Sequence, residues 1–225
     1  MSAQDATCLD LLTWQLVDSA LPTGAFAHSS GIEAAYQHGE VADVDDVRVF
    51  IDALVRQAGW AVLPLMNAAH LEPRNIRALD ELADAFLTNA VANRASRVQG
   101  RALVATASRV WPTRELVALK EDIGGACGHV APVSGATYRL MNVPLATAQR
   151  ITLYGVARSA LSAAVRLGIV GSYDAQRLQS ESACVIDETA GRCAGVGLDD
   201  LAQIAPVLDA IQAQHDRLYT RLFQS

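Results

Sequence analysis

The chain has 225 residues, of which 51% are hydrophobic and 19% are charged, and its formal net charge at pH 7 is −6. This much apolar sequence excludes disorder as the main state and is enough for one sizeable domain. The acidic balance argues against a nucleic-acid-binding surface, which is normally basic. Aromatic residues make up only 5%, and the apolar content is mainly Ala, Leu and Val, which favours packed helices over a β-sandwich.

Neither a membrane span nor a signal peptide is predicted. The most apolar candidate, residues 151–170, carries Arg158 and Arg166, whereas a span needs about 18 or more nearly uncharged residues. The first ten residues lack the basic start and apolar run of a signal peptide. The four cysteines are irregularly spaced, which does not indicate a disulfide framework. We therefore expect a cytoplasmic protein with reduced thiols and no membrane partner.

Helical periodicity recurs along the whole chain, and no segment alternates as a strand would. About ten helices without a dividing linker predict a single all-α domain over residues 1–225, a helical bundle in which residues 216–225 form a tail. The predicted helices span residues 7–17, 26–38, 43 onward, 64 onward, 76–86, 93–110, 113–121, 132–142, 144–167, 172–189 and 199–215. Pro64 is expected near the start of a helical piece or at a kink in a continuing one, and Pro73 is expected to restart the chain before residues 76–86.

Particular residues set the predicted helix boundaries. Thr7, Asp43 and Ser172 have side chains that cap helix N-termini, and each stands at a predicted start. Gly31 is expected in the middle of the second helix. Residues 191–197 are glycine-rich and are predicted to be a connector.

No arrangement of side chains in the sequence predicts catalysis. Glu181, Asp187 and Glu188 lie on a predicted helix, where solvated charge is the ordinary outcome. The glycine-rich loops lack the phosphate-binding pattern, so nucleotide hydrolysis is not expected. Cys127 and His129 carry a thiol and an imidazole, which suit zinc or nickel, but no CxxC or HxxxH partner is near. A structural or incidental role is favoured for this pair.

Two surfaces have alternative interpretations. One predicted helix carries four arginines, and either a solvated, salt-bridged face or a docking surface for an acidic partner would use them: Arg94, Arg97, Arg101 and Arg109. The tail carries four apolar residues at helical spacing: Leu218, Tyr219, Leu222 and Phe223. Because a terminus frays unless it is tied down, these side chains either dock on their own domain or become ordered against a partner.

The stretch LPTGAFAHSSGIE, residues 21–33, resembles the N-terminal signature of the UreF-type urease accessory proteins, LP-x-G-x-F-x-(H/Y)-S-x-G-(L/I)-E. NRASRVQGRAL is similar to the family's S-x-x-QG helix. HVAPVSGA is similar to the family segment of His, Pro-Val and Gly, here through His129, Pro132, Val133 and Gly135. SALSAAVRLGIVGSYDAQRL resembles its long helix and turn, and HDRLYTRLFQS its closing H-x-x-LYSRLF-x-S. One departure is Ser172, where many members have Gln; either a helix cap or a partner contact is affected.

The resemblance implies an all-α fold and a non-enzymatic role in urease maturation. Family members bind UreD (also called UreH) and recruit the GTPase UreG to apo-urease for nickel insertion, some of them as homodimers. The expected partners are therefore UreD, UreG, the urease apoprotein and, as in those members, a second copy of the chain. No cofactor is expected to bind tightly, although nickel can transit the complex.

The resemblance also suggests roles for individual residues. Those expected to bind partners are Phe26, Glu33, Arg94, Arg166, Leu218, Tyr219, Leu222 and Phe223. Those expected to shape the scaffold are Pro22, Gly24, Gly31, Gln99, Gly100, His129 and Gly135. No catalytic residue and no metal ligand is predicted. Either Arg94 or Arg166 can be imagined as an arginine finger for a GTPase, but a salt bridge is the favoured role.

Two alternatives to a pure scaffold stay open. A metallochaperone would itself hold nickel through His and Cys residues, but the sequence has no clustered His/Cys motif, which favours the scaffold. A helical hydrolase is the third interpretation, and turnover by the isolated protein would support it.

Overall fold

The fold is built from α-helices and short 3-10 turns. The computed structural model describes the backbone of residues 3–225 and the side chains from residue 9 onward. The α-helices are α1 (Ala3–Val17), α2 (Ile32–Gln37), α3 (Val44–Ala61), α4 (Leu63–Leu71), α5 (Ile76–Phe86), α6 (Ala90–Val110), α7 (Arg114–Gly124), α8 (Val130–Leu140), α9 (Leu145–Arg166), α10 (Ser172–Glu181), α11 (Ala183–Cys193) and α12 (Pro206–Ala213). The 3-10 helices are Ala25–Ala27, Pro73–Asn75, Leu198–Asp200 and Gln214–Arg217. Residues 3–225 contain no strand, so the predicted all-α class is confirmed.

Helix α8 lies at the centre of one half of the protein. All its residues from Ala131 to Tyr138 are buried, and it packs against α4, α5, α6 and α7. Close packing with α4 depends on Gly135, because a Cβ there would overlap the carbonyl oxygen of Met66. Burial raises the pKa of Tyr138 to about 12, so its phenol is neutral.

Helix α9 organises the other half. It contacts α1, α2, α3, α10 and α11 around the larger apolar core. Gly59 of α3 gives α11 a close approach, because a Cβ at that position would overlap Thr189. Both halves share α4, which packs on α8 and on α9.

Three sequence-predicted boundaries agree with the structure because local chemistry determines them. Asp43 caps α3 by accepting hydrogen bonds from the backbone N–H groups of Asp45 and Asp46, at 2.9 and 3.0 Å. Pro64 stands in the first turn of α4, and Pro73 begins the 3-10 turn that leads into α5.

Several predicted boundaries were wrong. The first helix begins at Ala3, so Thr7 lies inside it and is not its cap. Gly31 is not in the middle of a helix: its φ of 90° follows a φ of 55° at Ser30, and α2 starts only after this left-handed pair. A residue with positive φ interrupts the right-handed helical path, so the predicted helix 26–38 is divided.

The C-terminal half contains two further corrections. The predicted helix 172–189 is two helices separated at Ser182, and Gly171, not Ser172, is the N-cap residue. The predicted helix 199–215 is a 3-10 turn, an extended segment over 201–205, and α12. The predicted connector 191–197 also begins later, since α11 continues to Cys193.

No single helix within residues 3–225 is long and apolar enough to cross a membrane. Helices α3 and α4 pass such a test only when they are taken together, with a bend of 42° between them. Both contribute heavily to the buried core, as the core helices of a folded domain do.

Candidate functional site

Glu33 is a buried carboxylate that holds the C-terminal tail. Its side chain is 1% exposed, at the start of α2. Oε1 accepts a hydrogen bond from the N–H of Leu222 at 2.6 Å, and Oε2 accepts one from the N–H of Phe223 at 3.2 Å. Oε2 also lies 2.9 Å from Nε2 of the fully buried His215. These bonds compensate the cost of removing a carboxylate from water.

The loop before α2 pairs with the same tail through its main chain. The N–H of Ser29 donates to the main-chain oxygen of Ser225 at 2.6 Å, and its hydroxyl donates to the same oxygen at 2.9 Å. The N–H of Gln224 donates to the carbonyl of Ala27 at 2.8 Å. Nδ1 of His28 lies 2.6 Å from the Ser225 hydroxyl. We call the loop 27–33 and the tail segment 215–225 together the tail clamp.

Arg166 joins the tail clamp to α9. Its guanidinium donates to the carbonyl of Phe26 at 2.6 Å. The guanidinium carbon also lies 3.9 Å from the centroid of the Phe26 ring and 4.2 Å from that of Phe223. A guanidinium between two aromatic faces gains a cation–π attraction to each ring.

The structure brings together most of the residues that were predicted to bind partners, but it exposes only some of them. Phe26 is 68% exposed, Leu222 53%, and Tyr219 fully exposed. Glu33 and Phe223 are buried, so in this conformation they support the surface and do not form it. Phe223 therefore docks on its own chain, which is one of the two alternatives left open for the tail. Partner binding by these residues stays a prediction.

The two arginines suggested as arginine fingers are both engaged within the chain. Arg94 donates to both carboxylate oxygens of Asp216, at 2.7 and 2.8 Å, which lowers the pKa of Asp216. Arg166 is occupied as described above. These contacts favour the salt-bridge interpretation of Arg94.

The three carboxylates that were weighed as acid/base groups are likewise paired at the surface. Glu181 pairs with Arg48, Glu188 with Arg56 and Asp187 with Arg150. All are partly exposed, as the solvated interpretation predicts.

The residues predicted to shape the scaffold lie at close contacts and turns. Thr106 donates to the carbonyl of Pro22 at 2.8 Å, and Gly24 adopts a φ of 76°. A Cβ on Gly100 would overlap the carbonyl oxygen of Gly128, so the helix α6 needs glycine where this loop crosses it. Gln99, one residue earlier, faces a cavity that His28 and His129 also line.

The loop that ends in His129 is the second notable site. His129 is fully buried, with Nδ1 3.1 Å from the Ser96 hydroxyl and Nε2 3.1 Å from Oδ1 of Asp84. The thiol of Cys127 completes a group in which the ligand atoms all lie within 4.8 Å of one another. Sequence reasoning paired Cys127 with His129 but missed Asp84, because its position 43 residues before Cys127 gives no local signal.

Neighbouring groups shift the pKa values of Asp84 and Cys127 in opposite directions. A hydrogen bond from Asn93, and then one from His129, lowers the pKa of Asp84. Burial, and then the charge of Asp84, raises the pKa of the Cys127 thiol. The free thiol is therefore protonated at neutral pH and is not a reactive thiolate.

Comparison with known proteins agrees with the arrangement of these motifs. Residues 41–183 match the family model described as UreF. The chain belongs to the UreF family. It is 35% identical over 216 residues to "Urease accessory protein F" of Oryza sativa subsp. indica, covering 93% of this chain and 83% of that protein. It is 34% identical to "Urease accessory protein F" of Arabidopsis thaliana, covering 98% and 94%. It is 32% identical to "Urease accessory protein UreF" of Rhodopseudomonas palustris strain BisB18, covering 100% and 94%.

The tail clamp lies outside the part of the chain that matches the UreF family model. That model covers residues 41–183 and includes neither half of the clamp. The full-length relatives, in contrast, align over nearly the whole chain. A general role in urease maturation follows from the family.

Proposed function

We propose that this UreF-family chain is a non-enzymatic scaffold in urease maturation. It binds UreD, recruits the GTPase UreG to apo-urease for nickel insertion, and regulates the GTP-dependent step, acting in the cytoplasm and as a homodimer where the complex is symmetric. The relatives are named as urease accessory proteins, which supports the maturation role.

The observation that carries this proposal is an apolar surface held rigidly by the tail clamp. Phe26, Tyr219 and Leu222 are large apolar side chains that are more than half exposed. The backbone beneath them is fixed by the bonds of Glu33 and by Arg166. Exposed aromatic anchors on a fixed backbone are typical of binding hot spots, because little conformational entropy is lost on binding.

UreD is the partner that we assign to this surface. Replacing Tyr219 or Leu222 with Ala should weaken co-purification with the host's UreD and reduce the affinity by about tenfold or more. Neither side chain is buried, so the fold should be unaffected. Leu71, which is 70% exposed at the end of α4, is a matched control for Leu222, and Leu71→Ala should bind normally.

The outcome of this comparison is decisive for the surface. Unchanged UreD binding by both tail variants would overturn the assignment of the tail, and failure of the native chain to bind UreD would overturn the partner. A truncated chain that ends at His215 would be a less informative test than these point substitutions. The truncation also removes the residues whose N–H groups donate to the buried Glu33.

The nickel metallochaperone remains the alternative function. It requires the chain itself to hold nickel. Among the residues that the structure describes, the donor group that contains both Cys and His is the one formed with Asp84. Nickel titration of the isolated protein tests it: tight one-to-one binding that is lost in Cys127→Ala would contradict a pure scaffold.

A further inference from the structure

The group formed by Asp84, Cys127 and His129 has the donor set of a transition-metal site. Asp84 lies near the end of α5, Cys127 lies in the loop after α7, and His129 is the N-cap residue of α8. A carboxylate, a thiol and an imidazole from these two segments converge within 4.8 Å. Their exposure is graded: the side chain of Asp84 is 44% exposed, Cys127 is half-buried and His129 is buried. An ion can thus enter from solvent between the first two.

Hydrogen bonds to neighbouring helices fix the loop that carries Cys127 and His129. Asp80, which is 1% exposed, accepts hydrogen bonds from the N–H groups of Gly128 and His129, at 2.9 and 2.6 Å. Arg101 donates to the carbonyl of Ala126 at 2.9 Å. Gly128 has a φ of 78°, which sets the turn between Cys127 and His129. The backbone on both sides of the thiol is therefore fixed before any ligand binds, as a binding site requires.

The imidazole is oriented as metal-binding histidines usually are. Its Nδ1 contacts the Ser96 hydroxyl, which also accepts a hydrogen bond from the N–H of Val130 at 3.2 Å. A hydrogen bond at the remote ring nitrogen fixes the ring and leaves the other nitrogen for the metal. Here that nitrogen is Nε2, which faces Asp84.

We propose that Asp84, Cys127 and His129 bind one zinc ion, with a fourth position open to water. Mixed sulfur, nitrogen and oxygen donors suit zinc, whereas calcium and magnesium prefer oxygen alone. A tetrahedral zinc site separates its ligand atoms by roughly 3.3–3.8 Å, given bonds of about 2.0–2.3 Å. The contact between Asp84 and His129, at 3.1 Å, is already close to that separation, and the partly exposed Asp84 and Cys127 side chains have room to adjust.

The charges around the site are balanced until a metal binds. Asp84 and the buried Asp80 bring two carboxylates to the loop, and two arginines oppose them: Arg97, which acts on both Asp84 and Cys127, and Arg101, which donates to the loop. A thiolate formed on metal binding adds a further negative charge. The site is independent of the proposed scaffold role, because none of its ligands belongs to the tail clamp.

Cobalt and zinc binding to the full-length protein, purified and freed of metal, test the site. Co²⁺ should bind one per chain and give the charge-transfer absorption of a thiolate ligand, and Zn²⁺ should displace it. Cys127→Ser should abolish this absorption and weaken Zn²⁺ binding by about a hundredfold, and Asp84→Asn should weaken it by about tenfold or more. His129 is buried, so its substitution risks the fold, and the two more accessible ligands are used instead.

Cys184 provides the matched control. It is an exposed cysteine on α11, and Cys184→Ser should retain both the absorption and the affinity. Absence of a thiolate band, or its persistence in Cys127→Ser, would overturn the site. If Ni²⁺ binds through the same residues more tightly than Zn²⁺, the zinc assignment is wrong and the metallochaperone alternative gains support. Loss of UreD binding in the tail variants leaves this result unaffected, so the two proposals fail separately.

Discussion

Single buried residues determine how this chain presents its surface. Glu33 is the clearest case, because a carboxylate that is 1% exposed must find partners within the protein. Its partners are two tail N–H groups and His215, almost two hundred residues along the chain. Together with the bonds that Ala27 and Ser29 make to the tail, this side chain orders a terminal segment that would otherwise fray. Tyr219 and Leu222 are displayed on that ordered segment.

Gly100 should be intolerant of even one added methyl group. Gly100→Ala would drive a Cβ into the carbonyl oxygen of Gly128, which is backbone that Asp80 holds and that cannot move away freely. We expect the free energy of unfolding, measured in urea, to fall by about 1–3 kcal/mol.

Gly155 is the control for this substitution. It lies within α9, and a Cβ there would meet no atom within 4 Å. Gly155→Ala should therefore raise the free energy of unfolding by about 0.5–1 kcal/mol, because alanine favours a helix. Equal effects of the two substitutions would show that the crossing at Gly100 is not tight.

At the scale of elements, the sequence predicts what neighbouring residues decide and misses what distant ones decide. Asp43 and Pro73 mark helix starts through their own side chains, so these starts were predictable. The extended segment 201–205 was not predictable, because its backbone N–H groups find their hydrogen-bond acceptors on α3. The N–H of Ala202 donates to the carbonyl of Trp60, and those of Ile204 and Ala205 donate to Oε1 of Gln57.

The contacts that build the two candidate sites also join residues that are distant in sequence, so they were not predicted. The N-terminal motif and the closing motif were each visible, but the contact between Glu33 and the tail depends on a fold that no local pattern encodes. Likewise, Cys127 and His129 are two residues apart, whereas Asp84 joins them only because α5 packs beside α8. The resemblance indicated the family of the chain without supplying either contact.

Gln57 should anchor the extended segment to α3. Gln57→Ala removes the acceptor of two backbone N–H groups, at 2.7 and 2.8 Å, and the side-chain contact with Gln203. We expect hydrogen exchange at residues 204 and 205 to accelerate markedly and the free energy of unfolding to fall by about 1 kcal/mol. Gln176 is an exposed glutamine on α10, and Gln176→Ala should change neither. Unaltered exchange in Gln57→Ala would mean that the segment is held by other contacts.

For the molecule as a whole, the tail clamp couples stability to pH through His28. Burial, and then the charge of nearby His215, lowers the pKa of His28 from its ordinary value of 6.5. Its Nδ1 contacts Ser225, while Nε2 is buried without a hydrogen-bond partner in the part of the chain that the structure describes. Among the other charged groups of the clamp, Glu33 is engaged by His215, and Asp216 is paired with Arg94 and Arg221. Protonation of His28 would place a second donor where no acceptor stands.

The sign of the pH effect follows from linkage. Because the folded protein holds His28 neutral, the unfolded chain binds more protons as pH falls below 6.5. The stability that this histidine contributes is therefore complete above 6.5 and is lost as pH falls toward its lower folded pKa. His28→Asn removes the titration and keeps a polar side chain at the position. Between about pH 7.5 and about pH 5.5, the urea midpoint of the native chain should fall more than that of His28→Asn. Equal falls of the urea midpoint in the native chain and in His28→Asn would show that protonation of His28 does not destabilise the folded clamp.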